Sequence, residues 1–451
     1  MGRLFGTDGI RGIANTELTC ELAFNVGRAA AAVLTDTSRK RPTFVIGSDT
    51  RASSDMLCSA IVAGLCSLGA DVIQLGVIPT PAVAFLVGKY KADAGIMVSA
   101  SHNPAEFNGI KIFGGNGFKL PDMLEERIEE LILNGNTVYE RPTGKDVGRL
   151  TLAASAAKDY VDHVASTSYY SLEGLNIAVD CANGSASSTA RLLFKKLGAN
   201  AKILYDKPNG ANINDNCGST HISALSQYVV EHKLDCGIAF DGDADRCLCV
   251  DEKGNVIDGD FIMAICALDL KRRGKLAGNT VVGTIMSNFG FTKFCEENDI
   301  RFIATKVGDR YVLEEMLLGE FAFGGEQSGH IIFKDFATTG DGQLTAVQLL
   351  SIAKHSGKKL SELSEVMTGY PQTMINLKIS AEGKIAFYTD KEVNLKIEEA
   401  KETLGKTGRI VVRPSGTEPL IRVMVEGMDT ELIERVAKEV ADVIVSRLAS
   451  K

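Results

Sequence analysis

Short apolar segments alternate with longer segments of helical periodicity through most of the chain, and this order occurs three times. In the first copy, residues 43–49 read as a buried strand, followed by a helix that begins at Ser53–Ser54 and ends near Leu68–Gly69. The same order returns over residues 176–205 and again over residues 280–303. Strands that alternate with helices indicate α/β sheets. The pattern therefore predicts three related α/β domains.

The pattern changes after about Gly369 to strand, helix, two strands and helix. Residues 409–412 and 420–425 are predicted to pair as a hairpin, and Asp429 can cap a last helix whose apolar residues recur at helical spacing. This part predicts a fourth, smaller α+β domain. We place the four domains at residues 1–150, 151–254, 255–369 and 370–451.

A polar loop follows one predicted strand in each of the three α/β domains. These loops are residues 99–104, 241–246 and 324–330. Ligands of open α/β sheets bind where the strand ends meet the loops. We therefore expect three related domains to direct three different loops into one cleft.

Composition and charge narrow the classes of function. The 451 residues exceed a single domain, and the formal net charge of −8 disfavours nucleic acid as the main partner, although a small anion can bind in a local basic pocket. The longest apolar stretch, Val72–Gly88, contains two prolines and predicts no membrane span. The first residues lack the apolar core of a signal peptide, and the ten cysteines form no Cys-x-x-Cys pair. We expect a cytoplasmic protein with reduced, buried thiols.

The loop at residues 241–246 is a candidate metal site. Asp241, Asp243 and Asp245 place three carboxylates on alternate residues, a concentration of charge that a hard cation such as Mg²⁺ would neutralise. An EF-hand calcium loop is excluded, because Arg246 stands where that loop needs glycine and residues 247–250 read as a strand. A solvated acidic turn is the alternative interpretation.

The loop at residues 99–104 carries a candidate nucleophile. Ser101 lies in a turn of small residues beside His102, where a hydroxyl at a strand end can react if it is activated. The alternative is a serine that makes a local hydrogen bond within the turn. No spacing of Asp or Glu marks a catalytic triad, so a serine hydrolase is disfavoured.

Further segments offer groups for an anionic sugar. The turn at residues 413–417 combines a guanidinium, hydroxyls and a flexible backbone, as a bound phosphate requires, and an ordinary hairpin turn is the alternative. Residues 6–12 are predicted to form a similar Gly-rich turn that carries Arg11. Glu326 and Ser328 offer an acceptor and a hydroxyl suited to sugar hydroxyls, with a short polar turn as the alternative.

Together these segments resemble the α-D-phosphohexomutase family over nearly the whole chain, in order, spacing and content. The segments that carry the resemblance are residues 7–12, the phosphoserine-like loop at 99–104, the magnesium-like loop at 241–246, the sugar-like loop at 325–330, and residues 413–417. The resemblance implies three related α/β/α domains with mixed sheets plus a smaller C-terminal α+β domain, arranged around a central cleft.

The resemblance also implies a reaction, the reversible conversion of glucosamine 6-phosphate into glucosamine 1-phosphate. Ser101 would carry a phosphoryl group, donate it to the sugar, and recover a different one after the bisphosphate intermediate turns round. One Mg²⁺ would be held by Asp241, Asp243 and Asp245 together with an oxygen of phosphorylated Ser101. Mutases of mannose or glucose phosphates on the same scaffold, and a non-catalytic sugar-phosphate sensor, are the alternatives.

The other site residues follow from the same resemblance. Those near the phosphoserine, expected to transfer protons or stabilise charge, are Arg11, Lys111, His102 and Arg246. Those expected to bind the sugar are Glu326, Ser328 and His330, and those expected to hold the phosphate that is not reacting are Arg413, Ser415, Gly416 and Thr417. The expected partners are the hexosamine phosphate and its bisphosphate, and a homodimer is left open.

Overall fold

The computed structural model describes residues 4–6, 8–35, 41–134, 139–415 and 420–449. The chain groups into two compact units. The first comprises Met1–Gly283 and Gly308–Glu365, and the second comprises Thr284–Val307 and Val366–Lys451. The four domain boundaries drawn from the sequence remain a prediction.

The first part of unit one is a mixed sheet with helices. Its strands are β1 (Phe5–Gly6), β2 (Gly9–Ile13), β3 (Thr43–Ser48), β4 (Asp71–Val77), β5 (Ala94–Val98), β6 (Phe107–Gly114) and β7 (Leu150–Leu152). Its helices are α1 (Cys20–Leu34), α2 (Ala52–Ser67), α3 (Thr80–Lys89) and α4 (Asp122–Leu133). The sheet order is β1-β2-β6-β5-β3-β4-β7. Strand β3 pairs in parallel with β4 and β5, whereas β6 runs antiparallel to β2 and β5. Buried apolar side chains of these strands, such as Phe44, Ile96 and Ile110, share one core with those of α1 and α2.

The second part has the same alternation. Its helices are α5 (Ala156–Ser166), α6 (Ala190–Lys196) and α7 (Ser223–Glu231), and its strands are β8 (Asn176–Asp180), β9 (Asn200–Leu204), β10 (Cys236–Phe240), β11 (Cys247–Asp251) and β12 (Val256–Ile257). The sheet order is β12-β11-β10-β8-β9. Strands β8, β9 and β10 run parallel, and β11 runs antiparallel to β10.

The third part completes unit one. Its strands are β13 (Thr280–Thr284), which ends at the boundary with unit two, β15 (Phe323–Gly325) and β16 (Ile331–Phe333). Its helices are α8 (Gly259–Arg272), α10 (Asp309–Leu318), α11 (Gly342–Ser356) and α12 (Leu360–Leu363). The same connection occurs in all three parts, at β5–β6, β10–β11 and β15–β16. In each case a polar loop follows a strand that has a parallel neighbour and leads into the next strand, which pairs antiparallel with the first. This recurrence explains the three polar loops of the sequence.

Unit two contains α9 (Phe289–Glu297) and β14 (Arg301–Thr305), followed by the C-terminal elements β17 (Gln372–Lys378), α13 (Ala381–Ala386), α14 (Lys391–Leu404), β18 (Gly408–Pro414), β19 (Leu420–Gly427) and α15 (Thr430–Leu448). The antiparallel sheet β17-β19-β18 confirms the predicted hairpin, and Asp429 caps α15 by accepting a hydrogen bond from Leu432 N–H at 3.0 Å. Within the described ranges, no helix combines the length and apolar character that crossing a bilayer requires.

The elements confirm the predicted α/β class with a C-terminal α+β part, and they correct two local predictions. Residues 9–13 are the strand β2 and not part of a turn, because they pair antiparallel with β6, where Arg11 lies opposite Gly109. Helix α2 begins at Ala52 and not at Ser53–Ser54, and its N-cap Arg51 makes no side-chain capping hydrogen bond. The ten cysteines all lie within the described residues and form no disulfide, as predicted, and eight of them are buried.

Candidate active site

Ser101 lies in the loop between β5 and β6 with its hydroxyl directed at a second loop. The residue is 1% exposed and has a φ of +54°, in the left-handed region that serine seldom adopts. Its Oγ donates a hydrogen bond to Asp241 Oδ2 at 2.7 Å and lies 3.3 Å from His102 Nδ1. The hydroxyl oxygen of Ser101 is therefore engaged by a carboxylate of the β10–β11 loop, 140 positions away in the sequence.

The three aspartates of the β10–β11 loop form a buried carboxylate cluster. Asp241, Asp243 and Asp245 are each 5% exposed or less, which excludes a solvated acidic turn. One oxygen of each lies within 4.8 Å of the other two. Asp243 Oδ1 and Asp245 Oδ1 are buried and accept no hydrogen bond from the described part of the chain. Buried acceptors without donors favour a cation, so this cluster can hold a metal ion, and an all-oxygen set suits a hard one.

Lys111 on β6 neutralises part of this cluster. Its Nζ lies 2.9 Å from Asp243 Oδ2, 3.1 Å from Asp8 Oδ2 and 3.4 Å from Asp245 Oδ2. Burial by itself would lower the pKa of a lysine, but these three carboxylates hold the pKa of Lys111 well above its ordinary value. These contacts favour the cationic form of Lys111 in this arrangement.

A closed ring of ionisable side chains extends from Lys111 through all three parts of unit one. In the ring two lysines and one imidazole alternate with three carboxylates, in the order Lys111, Asp8, Lys119, Asp309, His330 and Asp245. Lys119 Nζ lies 2.5 Å from Asp8 Oδ1 and also contacts Asp309. Lys111 and Lys119 each lie between two of these carboxylates, so the opposite charges offset part of the desolvation of the ring.

His102 and two arginines complete the surroundings of Ser101. Burial, together with the guanidinium groups of Arg246 and Arg11, lowers the pKa of His102 to about 4, so the imidazole is uncharged at neutral pH. The Arg246 backbone N–H donates to Asp241 Oδ1 at 3.1 Å. Arg11 on β2 donates from Nη2 to Asp8, the neighbour of Lys111. The residues predicted to assist the serine are therefore linked to the carboxylate cluster.

The β15–β16 loop holds the three residues predicted to bind the sugar. Glu326 Oε1 accepts a hydrogen bond from Gly308 N–H at 3.1 Å, and burial raises the pKa of this carboxyl. Ser328 Oγ is buried and makes no hydrogen bond to the described residues, so it can accept or donate one to a ligand. His330 differs from the other two, because its Nδ1 lies 3.6 Å from Asp245 Oδ2 and its Nε2 accepts from Gly340 N–H at 3.0 Å.

The residues predicted to bind phosphate lie in unit two, at the β18–β19 hairpin. Arg413 lies directly opposite Arg422 in the register, and burial together with the charge of Arg422 lowers the pKa of Arg413. Two facing guanidinium groups favour an anion between them. Ser415 is buried, and its carbonyl accepts a hydrogen bond from Lys384 Nζ. Gly416 and Thr417 lie outside the described residues.

Comparison with models of known protein families shows which family the chain belongs to. Four models described as phosphoglucomutase/phosphomannomutase domains match the chain in order: alpha/beta/alpha domain I at residues 2–138, domain II at 158–254, domain III at 258–370 and the C-terminal domain at 374–443. The chain belongs to the phosphoglucomutase/phosphomannomutase family. The family resemblance inferred from the sequence is thereby confirmed.

Curated members of this family resemble the chain over its whole length. A phosphoglucosamine mutase of Caldanaerobacter subterraneus subsp. tengcongensis is 56% identical over 448 residues, which cover 99% of this chain and 100% of the relative. A phosphoglucosamine mutase of Clostridium novyi is 53% identical over 444 residues, which cover 98% and 99% of the two chains.

Solved structures of the family share the fold. A phosphoglucomutase/phosphomannomutase family protein from Burkholderia thailandensis matches with a TM-score of 0.83 at 22% identity and covers 99% of both chains. The N-acetylphosphoglucosamine mutase of Aspergillus fumigatus, solved in complex with GlcNAc-6P and magnesium, matches with a TM-score of 0.69 at 19% identity and covers 98% of this chain and 95% of its own. These matches support the α/β fold with a small C-terminal domain.

Several residues of this family member contact site groups although no sequence signal distinguished them. In unit one they are Arg51, Thr80, Lys119, Asn214 and Asp309, and in unit two Arg422. Thr80 Oγ1, for example, donates to Asp243 Oδ2 at 2.6 Å. Arg422 lies within the predicted hairpin, but only the structure shows that it pairs opposite Arg413. The others reach the site through long-range contacts, for which a single sequence carries no local pattern.

Proposed function

We propose that this chain interconverts glucosamine 6-phosphate and glucosamine 1-phosphate, with Ser101 as the residue that carries the phosphoryl group. The observation that carries the proposal is the contact between the buried Ser101 Oγ and Asp241 in a cluster of three carboxylates. A hydroxyl held at a potential metal site is what phosphoryl transfer to and from a side chain requires. The names of the full-length relatives supply the hexosamine phosphate as substrate.

In the proposed reaction, phosphorylated Ser101 gives its phosphoryl group to the free hydroxyl of the bound sugar monophosphate. The bond between phosphorus and Ser101 Oγ breaks, a bond between phosphorus and the sugar oxygen forms, and the proton of the sugar hydroxyl ends on the released Ser101 Oγ. The bisphosphate then rebinds in the reverse orientation, and its other phosphoryl group passes to Ser101 Oγ. Product and phosphorylated enzyme are restored without net hydrolysis.

The carboxylate cluster is the proposed site of one Mg²⁺. Asp241, Asp243 and Asp245 would hold it together with an oxygen of phosphorylated Ser101. When bound, this ion would neutralise negative charge on the transferring group. The two buried carboxylate oxygens that accept no hydrogen bond from the described residues support the assignment.

The remaining groups are assigned by their charge and placement. Lys111, kept cationic by three carboxylates, would stabilise the transferring phosphoryl group. Arg11, Arg246 and the uncharged His102 would orient the same group around Ser101 Oγ. Glu326, Ser328 and His330 would form the sugar-binding loop.

The phosphate that is not reacting is assigned to unit two. There the loop of Arg413, Ser415, Gly416 and Thr417 would bind it, with Arg422 as a second cation. The like charges of Arg413 and Arg422, which face each other across the hairpin, support this assignment because a dianion between them would relieve their repulsion.

The test combines turnover with detection of the phosphorylated serine. The purified protein with Mg²⁺ and a catalytic amount of glucosamine 1,6-bisphosphate should convert glucosamine 6-phosphate, and intact mass should show one phosphoryl group on Ser101. Ser101→Ala should lose both signals and keep its fold by circular dichroism, whereas the control Ser59→Ala, an exposed serine on α2, should keep both. Full activity in Ser101→Ala would contradict the proposal.

The alternatives on the same scaffold are mutases of glucose or mannose phosphates. Comparison of kcat/KM for the 6-phosphates of glucosamine, glucose and mannose separates these activities. A higher kcat/KM for the glucose or mannose phosphate would assign that sugar phosphate as the substrate. Sugar-phosphate binding without isomerisation would instead indicate a sensor.

A further inference from the structure

Two side chains from distant parts of the sequence hold the backbone of the Ser101 loop through the same two carbonyl groups. Arg51 Nη2 donates to Ser101 O at 3.1 Å and to Asn103 O at 2.7 Å. Asn214 Nδ2 donates to the same oxygens at 2.9 and 3.0 Å. The two donors thus form a clamp on the carbonyl groups of the two residues that flank His102.

The Arg51 half of this clamp is fixed within the sheet that carries Ser101. The guanidinium is fully buried and forms a salt bridge with Asp49 at 2.8 Å, directly after β3. Asp49 Oδ2 also accepts a hydrogen bond from Ser99 Oγ at 2.6 Å. Arg51 is therefore part of the local framework of the loop.

The Asn214 half comes from the segment between β9 and α7, more than 100 positions away. Asn214 is 7% exposed and has a φ of +59°, a conformation that asparagine tolerates well. Its backbone N–H donates to Ala182 O at 2.9 Å, which fixes the residue from the other side. Its side-chain amide is thus aimed at the Ser101 loop by a second sheet.

The metal-site loop packs against the same point. A Cβ added at Gly242 would lie 2.5 Å from Ser101 O and 2.9 Å from Asn214 Nδ2, so only glycine fits between Asp241 and Asp243. The Ser101 carbonyl, the Asn214 amide and the backbone between the two carboxylates are therefore in direct contact. Movement of Asn214 would affect both loops.

We propose that Asn214 is a positioning residue that keeps Ser101 in its left-handed conformation and its Oγ at the carboxylate cluster; this inference rests on the proposed function of Ser101. Serine does not favour φ near +54°, so the loop needs donors on its carbonyls to stay there. Arg51 fixes the Ser101 loop to the sheet that carries it, and Asn214 fixes the position of the loop relative to the carboxylate cluster. Loss of Asn214 would leave Ser101 present but displaced.

The experiment compares Asn214→Ala and Asn214→Asp with the control Asn216→Ala in the full chain with Mg²⁺. Asn216 lies on the same segment, also has a positive φ of +51° and is exposed, and its side-chain amide donates to the neighbouring Asp215. Asn214→Ala should reduce kcat by roughly 10- to 100-fold with little change in KM, because a displacement of the nucleophile of about 1 Å has an effect of that size. The control should stay within about twofold of the wild type, as surface substitutions generally do.

The aspartate variant separates positioning by hydrogen-bond donation from simple packing. Asp has the size of Asn but presents acceptors to two carbonyl oxygens, so Asn214→Asp should have a lower kcat than Asn214→Ala. A packing role would give the reverse order. The positioning role is overturned if Asn214→Ala retains wild-type kcat, or if its loss appears only in KM.

A second measurement does not depend on the identity of the substrate. Hydrogen–deuterium exchange of the peptide spanning residues 99–106 should be faster in Asn214→Ala than in the wild type and unchanged in Asn216→Ala. If the wild type fails to turn over glucosamine phosphates but the exchange result holds, the proposed function fails and the clamp stands. Equal exchange in the wild type and Asn214→Ala would refute the clamp itself.

Discussion

Replacement of Asp241 by asparagine should make the metal-free protein more stable while abolishing its turnover. Asp241 is a buried carboxyl close to the carboxylates of Asp243 and Asp245, and in contrast to them it has no lysine within salt-bridge distance among the described residues. Burial, followed by the charges of Asp245 and Asp243, raises the pKa of Asp241 well above its ordinary value. Asparagine removes the ionisable group, whose charged form is disfavoured here, and keeps an acceptor for the Arg246 N–H.

The magnitude follows from the geometry of the cluster. Two unit charges at the limiting separation of 4.8 Å repel by about 3.5 kcal/mol at an effective dielectric constant of about 20. Arg246 offsets part of this repulsion at Asp241, so we expect a net gain of about 1–3 kcal/mol and a rise in Tm of roughly 2–5 °C without metal. A carboxyl whose folded pKa lies above its unfolded pKa destabilises the fold once pH exceeds the unfolded value, so the gain should grow as pH rises from about 4 towards 7.

The assay is thermal and urea unfolding of wild type and Asp241→Asn at pH 7, in EDTA and in Mg²⁺. Mg²⁺ should raise the Tm of the wild type and have little effect on the variant. Asp251→Asn is the matched control, because Asp251 is also buried but accepts backbone N–H groups of Lys253 and Asn255, so its replacement should lower stability. A variant less stable than wild type in EDTA, or equal stabilisation of both by Mg²⁺, would refute the reasoning.

Three further predictions address other parts of the molecule. Arg413→Ala should raise the KM for the sugar phosphate by about 10- to 100-fold, since a charge-assisted contact contributes about 1.5–3 kcal/mol; an unchanged KM in initial-rate measurements would place phosphate binding elsewhere. Burial raises the pKa of Asp180 to about 6, so ionisation of this carboxyl destabilises the wild type as pH rises from about 4 to 6. The Tm of Asp180→Asn relative to wild type should therefore increase over that range and then level off. A Tm difference that is constant with pH would contradict this. Lys119→Met should destabilise unit one by about 1.5–3 kcal/mol in urea unfolding, because the partly buried Asp8 and Asp309 lose the cation between them. Adding Asp309→Asn to Lys119→Met should restore part of that loss, and a double variant no more stable than the single one would argue against the charge ring.

Local patterns sufficed for much of the fold and for the choice of loops. The apolar run at residues 236–240 is the strand β10, and the three aspartates follow at its end because the strand stops where the carboxylates begin. Asn288 and Asp429 each cap the helix that the sequence places after them. These features depend on neighbouring residues, and neighbouring residues are what periodicity and capping report.

Prediction from the sequence was wrong where a segment takes its conformation from a partner that is distant in the chain. Residues 9–12 have the glycines of a turn, yet they form a strand because β6, about 100 positions later, offers its edge for pairing. The environment of Lys111 is another case, because its three carboxylates come from two separate segments of the chain. Its lasting positive charge is therefore visible only when those segments are folded together.

By itself the amino-acid sequence determined the α/β class, the three polar loops at strand ends, and the identity of the serine and the three aspartates. The tertiary structure alone decided that Ser101 Oγ meets Asp241 and that Arg51 and Asn214 hold the serine loop. The reason is physical: secondary structure follows from side chains a few positions apart, whereas the candidate site is made by contacts that span 50 to 140 positions. Chain folding creates those contacts, and no short stretch of sequence records them.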